Sequence, residues 1–414
     1  MHHIRNLTAL IFVLVVVFST AAFAEPTAQW AVTSSFDKLF LVKHASGSMT
    51  SYQVAEFSGS MMTGVGTYNG YVFVADTISV SGKSSAVLRV GKITDPVLNP
   101  TIEWIGAPIT LAQDGEILKQ PTSLAVSANG GVYVMGGRYV DNYNQTHSNY
   151  AYITSSNGWQ SAQVSVVNLP STSLADVAPS GNGAVFAHRN LREGFVDQTW
   201  VTTAIGASSG FGKNLEDTGY LPAGIVAGTN GYTYVANRST EDQPGAGPDD
   251  IGSISVMDSA TQTRMGPAFQ LDDFRPTDIA YFSSGEVNYL GLVGDDGGLI
   301  QAIRVTLGED GMPLMDSLMY QQLDASTKHQ CAISEDGKFL WVTNTQSNTV
   351  TALDTSSWTA QTVGVSGAAE FISAFMPVGS IVIVPEPASV LALLTGVISL
   401  ASLKIGRRSN RKYS

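Results

Sequence analysis

One cysteine, six histidines and a charged fraction of 14% are what this 414-residue chain offers for chemistry. The lone Cys331 cannot close an intramolecular disulfide, so packing must stabilise the fold. It sits in His329-Gln330-Cys331-Ala332-Ile333, at the apolar phase of an alternating strand pattern, and reads as a buried structural thiol. No HExxH, CxxC, GxSxG, P-loop or EF-hand pattern occurs, which removes the enzymes and metal sites that announce themselves in a contiguous motif. No stretch of the body keeps a 3.6-residue apolar period, so a helical architecture is excluded there. Basic residues are scarce too. With Arg5 set aside at the front, and Glu386 with Lys404, Arg407, Arg408, Arg411 and Lys412 at the back, 16 basic residues face 33 acidic ones, a formal charge of −17. Such a body does not suit nucleic acid, whose phosphates need clustered cations. Divalent cations or neutral glycans suit it better.

What the chain does have begins at its ends. Arg5 precedes an apolar core from Leu10 to Phe18, and Ala22-Phe23-Ala24 gives the small-x-small pattern after which signal peptidase cuts, so residues 1–24 read as a signal peptide and the mature chain starts near Glu25. At the other end, Val384-Pro385-Glu386-Pro387 leads into an apolar run from Ala388 to Leu403 and then a basic tail. Sixteen residues of helix span roughly 24 Å, short of a ~30 Å hydrocarbon core, so 388–403 is a marginal anchor whose cationic flank stays cytoplasmic. This order of Pro385-Glu386-Pro387, short apolar helix and Arg-rich terminus resembles the PEP-CTERM sorting signal of Gram-negative bacteria. The resemblance implies export and processing at the tripeptide by exosortase, an inner-membrane intermediate held by the C-terminal helix, and a final place at the cell surface or in a matrix beside exopolysaccharide.

Between the ends runs a repeat: an apolar strand, a polar Gly/Asn/Asp turn, then a strand rich in Tyr, Val and Phe. In Pro121-Thr122-Ser123-Leu124-Ala125-Val126 with Asn129-Gly130 and Val132-Tyr133-Val134, and in Pro222-Ala223-Gly224-Ile225-Val226-Ala227 with Asn230-Gly231 and Tyr232-Thr233-Tyr234-Val235, a Tyr follows Pro by twelve residues, so the two share a register. Arg275-Pro276-Thr277-Asp278-Ile279-Ala280 and Ala332-Ile333-Ser334-Glu335-Asp336-Gly337-Lys338-Phe339-Leu340-Trp341-Val342-Thr343-Asn344 follow the same scheme. Turn residues near 37, 70, 130, 183, 231, 285 and 337 recur about every fifty residues after a short first step, and each hairpin is followed by further strands. Four strands per repeat is a propeller blade. The expected architecture is therefore an all-β propeller over residues 25–384, of seven blades, with inserts at Arg138–Tyr150 and Ser239–Asp250 that leave six or eight open. Helix is expected only in the N-terminal signal segment and the C-terminal sorting segment. Trp341-Val342-Thr343-Asn344 with Ser347-Asn348-Thr349-Val350 resembles YVTN and NHL-type propeller repeats. Because an open ring leaves unpaired edges, Phe371–Pro377 and Ser380–Val384 are expected to complete the strand-poor first blade.

Candidate chemistry is thin. Glu241-Asp242 with Asp249-Asp250, and Asp295-Asp296 before Gly297-Gly298, are acidic loop clusters of the kind that hold calcium, the one cofactor the chain suggests. His44, His188 and His329 fall near strand ends and read as packed residues. Tyr139, Tyr143, Tyr150, Tyr152 and Trp159 offer faces either for sugar rings or for blade interfaces. No catalytic, cofactor-binding or metal residue is assigned. The assigned positions are those of processing: Ala22, Ala24, Pro385, Glu386 and Pro387. The expected function is a non-enzymatic binding or scaffold propeller at the cell surface, partnered by signal peptidase, exosortase and extracellular polysaccharide. The alternative is a lactonase- or lyase-like enzyme acting on a lactone or glycan, which needs His, Asp or Glu converging at the central channel.

Overall fold

The computed structural model describes residues 28–80, 83–94, 100–113, 116–140, 146–170, 172–190, 198–209, 213–214, 220–239, 251–271, 274–284, 287–294, 298–309, 311–322 and 330–375. The segments expected to be a signal peptide (1–24) and a sorting signal (385–414), with Ala22, Ala24, Pro385, Glu386 and Pro387, as well as Ser380–Val384, both acidic loop clusters, Tyr143 and His329, lie outside them. Among the described residues every element is a strand, and no helix is long and apolar enough to cross a membrane.

The strands form seven antiparallel sheets of four or five strands, joined by one two-stranded ribbon. Blade 2 has the regular order, Met61–Tyr68 innermost, then Tyr71–Val80, Lys83–Thr94 and Thr101–Trp104. Blades 3 to 7 begin with the innermost strands Pro121–Val126, Thr172–Ser180, Tyr220–Ala227, Pro276–Ser284 and Cys331–Ile333. These strands touch one another in blade order all the way round. Blade 1 is composite. The C-terminal strand Phe371–Phe375 pairs with Gln29–Ser35, Trp30 opposite Phe375 and Ser34 opposite Phe371, and supplies the innermost strand that the N-terminal strands lack. The ring is thus a closed seven-bladed β-propeller, sealed as expected by Phe371–Phe375.

That closure corrects one detail of the repeat. The turn at Phe36-Asp37 joins the second and third strands of its blade, whereas those at Asn69-Gly70, Asn129-Gly130, Asn230-Gly231 and Asp336-Gly337 join the first and second. The short first step in the spacing arises because blade 1 is entered one strand late.

Period-two alternation explains why the sheets stack into a ring. The second strand of each blade is apolar on both faces, and its alternate residues serve different neighbours. Phe73 and Ala75 face blade 3 while Val72 and Val74 face blade 1. Tyr133 and Met135 pack toward blade 4, Val134 toward blade 2. Trp341 packs on blade 1, and Leu340 and Val342 on blade 6. The buried side chains fall into seven clusters, one for each interface in the ring.

Candidate functional site

The innermost strands all start at one mouth of the channel, and their first residues shape it. Five of them slip register near the start, between Met62 and Gly64, Pro121 and Ser123, Leu174 and Asp176, Pro222 and Gly224, and Pro276 and Asp278. A bulge places one extra residue without a ladder partner. Those residues, Thr63, Thr122, Ala175, Ala223 and Thr277, line an open cavity of about 1160 Å³. Pro121 and Pro222 line it as well; having no N–H, they fit the first position of a strand and the flank of a bulge respectively. Arg189 and Arg238, from the ends of the second strands of blades 4 and 5, complete its charged lining, and none of the described lining residues is Asp or Glu.

Below the mouth lies a smaller chamber of about 280 Å³, lined by Asp176, Asp278 and Cys331 among others. In blades 3, 4 and 6 the residue after the bulge, Ser123, Asp176 or Asp278, bonds to a neighbouring blade, and in blades 2 and 5 it is glycine. Asp176 takes a hydrogen bond on Oδ1 from the Ser123 hydroxyl at 3.2 Å and on Oδ2 from the Ile225 N–H at 3.1 Å, so one carboxylate ties blades 3, 4 and 5 together. Asp278 accepts from the Cys331 N–H of blade 7 at 2.9 Å and from its own Ile279 N–H at 2.8 Å. Between the two carboxylates stands Gly224, where a Cβ would lie 2.9 Å from the Asp278 Cα and from the Ile279 nitrogen, so only glycine fits without moving backbone. Burial pushes Asp176 up to about 6 despite its hydrogen bonds. Burial, with the adjacent Asp176 charge adding to it, pushes Asp278 up to about 8, so the pair holds a proton at neutral pH. The Cys331 thiol is raised well above its ordinary value by burial and by these carboxylates, which makes it inert.

At the rim, the buried Asp76 is neutralised by Arg89, with Nε 2.7 Å from Oδ2, and also accepts the Met61 N–H. Arg89 in turn lies 4.1 Å over the Phe57 ring. Among the described residues no three His, Cys, Asp or Glu side chains are placed to hold a metal ion.

The residues singled out from the sequence are dispersed. His44 packs at a tilt against Phe339 across the interface of blades 1 and 7, with ring centroids 4.3 Å apart. His188 is buried, bonded through Nε2 to the Thr202 hydroxyl at 2.8 Å, and desolvation lowers it to about 4, so it stays neutral. The aromatic group does not form one platform. Tyr150 is fully buried against Tyr133 and Phe186, Tyr152 packs at a tilt against Tyr133, and Trp159 packs edge-on against Phe73, all at blade interfaces. Tyr139 is half-buried, its hydroxyl donating to Asn168 at the surface. Cys331 is buried on a strand, as expected. The pairs that sequence reasoning passed over, Asp176 with Asp278 and Arg189 with Arg238, carry a signal only after alignment of the blades. Ser123, Gly224 and Asp278 each stand two residues after a proline near the start of the strand.

Fold and mouth together define a seven-bladed propeller with a polar entrance. No family model matches the chain, and no curated protein matches it. Solved structures do. The periplasmic gluconolactonase PpgL of Pseudomonas aeruginosa is 14% identical with a TM-score of 0.51, over 84% of this chain and 99% of that one. A Lactobacillus plantarum protein is 10% identical with a TM-score of 0.54, again over 84% and 99%. A protein of unknown function from Desulfotomaculum acetoxidans is 12% identical at 0.52, with the same coverage. At such identities the likeness is one of fold.

Proposed function

We propose that this chain is an exported propeller that binds extracellular polysaccharide at its mouth and serves the cell surface or matrix as a binding or scaffold component. The observation that carries the reading is the lining itself: threonine, serine and glutamine side chains set on a rigid ring, in an open cavity of about 1160 Å³. Hydroxyls and amides on a preformed concave surface match the donor and acceptor pattern of sugars. The described carboxylates that line the chamber below the mouth, Asp176 and Asp278, are engaged with backbone amides of neighbouring blades, which speaks for a structural use over a catalytic one. The export half of the reading rests on Ala22-Phe23-Ala24 and on Pro385-Glu386-Pro387 with its basic tail.

Two measurements test it. Intact mass of protein recovered from its native host is expected to show a start near Glu25 and loss of the segment after the tripeptide; a full-length mass in the mature fraction overturns the processing. Purified protein is expected to co-sediment with the host's extracellular polysaccharide and to leave it uncut. Hydrolysis of a lactone or glycan that Asp278→Asn abolishes in a folded variant replaces this reading with the enzyme.

A further inference from the structure

We infer that Phe36 is an aromatic platform on which a sugar ring stacks at the lip of the mouth, so that the ligand's path leaves the cavity over the seam of blades 1 and 2. The inference rests on the glycan reading above and adds a contact residue and a direction to it. Backbone pairing places Phe36. Ser34 stands opposite Phe371, which lines the cavity, so the turn at Phe36-Asp37 emerges on the mouth face. The Phe36 carbonyl accepts the Met62 N–H at 2.7 Å, which sets the residue beside Met61, another lining residue. Phe36 is 53% exposed and Met61 51%, so two large apolar side chains stand in water at one edge of a hydroxyl-bearing cavity.

The backbone makes that exposure stand out. Phe36 has a φ of 33°, in the left-handed region that suits glycine and that a bulky residue enters only under constraint. Elsewhere in the ring the same conformation has a local reason. Asn69 and Asn348 are short polar turn residues that tolerate it, and Trp159 and Trp358 pack edge-on against Phe73 and Phe282. Phe36 instead holds a half-exposed ring at a turn where glycine would be relaxed. Gln120 and Leu221 are left-handed too, at 43° and 57°, and both line the cavity, so the mouth holds further non-glycine residues in this conformation.

A pyranose carries C–H bonds on its faces and hydroxyls around its edge. An aromatic ring covers such a face over a large area at little cost in side-chain entropy, while Thr63, Thr122 and Thr277 inside the cavity meet the hydroxyls of the sugars that follow. Two apolar side chains are too small an area for a stable protein partner, which needs several hundred Å² on each side. They are enough for one ring of a polymer whose neighbours are held beside it.

Co-sedimentation isotherms with exopolysaccharide purified from the native host test this. Phe36→Gly removes the ring and relaxes the turn, which offsets the apolar contact given up, so it is expected to melt like the parent while binding about tenfold more weakly. Phe36→Tyr keeps an aromatic face and is expected to bind as the parent does. Leu314→Ala removes a side chain of similar exposure, 55%, from the outermost strand of blade 6, and is expected to leave binding unchanged. In Phe36→Trp, the emission in excess of the parent's is expected to shift to the blue at saturation. Full affinity in a folded Phe36→Gly variant, equal losses in Phe36→Gly and Leu314→Ala, or an unmoved emission in a Phe36→Trp variant that binds overturns the platform and leaves the glycan reading standing. A parent that binds no exopolysaccharide overturns both.

Discussion

Asp176 and Asp278 are the residues at which the ring's chemistry and its stability meet. Each spends its oxygens on neighbouring backbone or hydroxyl groups, and Gly224 between them gives up a side chain so that the channel wall can close. The unfolded carboxyls titrate near 3.8, and burial raises the folded ones to about 6 and about 8. Between those values the unfolded chain releases protons that the folded ring keeps, so the stability from this pair is complete below 3.8 and is lost as pH rises toward 8. Thermal melts are therefore expected to fall between pH 5 and pH 8 by roughly 5 °C. Asp278→Asn, which cannot ionise, is expected to flatten that fall. An Asp278→Asn profile as steep as the parent's would mean that other groups set the pH dependence. None of this was legible beforehand, because a carboxylate in a strand copy looks like any solvated acid until the next blade's amide is placed beside it.

Hairpins were the most legible elements, since Asn-Gly and Asp-Gly between alternating strands specify a turn by backbone sterics alone. Gly70, Gly130, Gly231 and Gly337 all adopt positive φ, between 71° and 88°. The two best-matched turns differ in surroundings, which separates conformational cost from crowding. At Gly231 a Cβ meets nothing within 4 Å, whereas at Gly337 it would lie 3.0 Å from the Ser283 carbonyl oxygen of blade 6. Gly231→Ala is expected to cost about 1 kcal/mol through φ alone, and Gly337→Ala about 1 kcal/mol more, by urea unfolding of the two variants side by side. Equal losses would show that blade 6 yields freely at Ser283. Bulges, by contrast, could not be read. A register slip leaves no residue-type signature once its position holds Thr in three blades and Ala in two, yet the slip is what turns Thr63, Thr122 and Thr277 into the mouth.

At the scale of the molecule, the repeat gave the blade number because each apolar strand must serve two interfaces, and a sequence that alternates for two faces can only be buried between two neighbours. The channel was not readable, since its walls come from residues about fifty apart in the chain whose meeting depends on closure. Closure itself was foreseen from the surplus strand at Phe371. Its weight can be judged from what it covers. Gln29–Ser35 is buried along its whole length, and Phe371 and Phe375 pack in the interface toward blade 2 while Ile372 packs in the one toward blade 7. Losing this strand bares the inner edge of blade 1 and opens two of the seven clusters at once, including Trp30 and Val32. An unpaired apolar edge in a ring recruits another chain. Residues 28–377, which form one compact unit, are expected to elute as a monomer and melt cooperatively, and residues 28–367 to elute as oligomers or aggregate with no matching transition. A monomeric 28–367 that melts within a few degrees of the longer chain would mean that six intact blades hold the ring without their seal, and that Phe371–Phe375 serves only to lead the chain away from it.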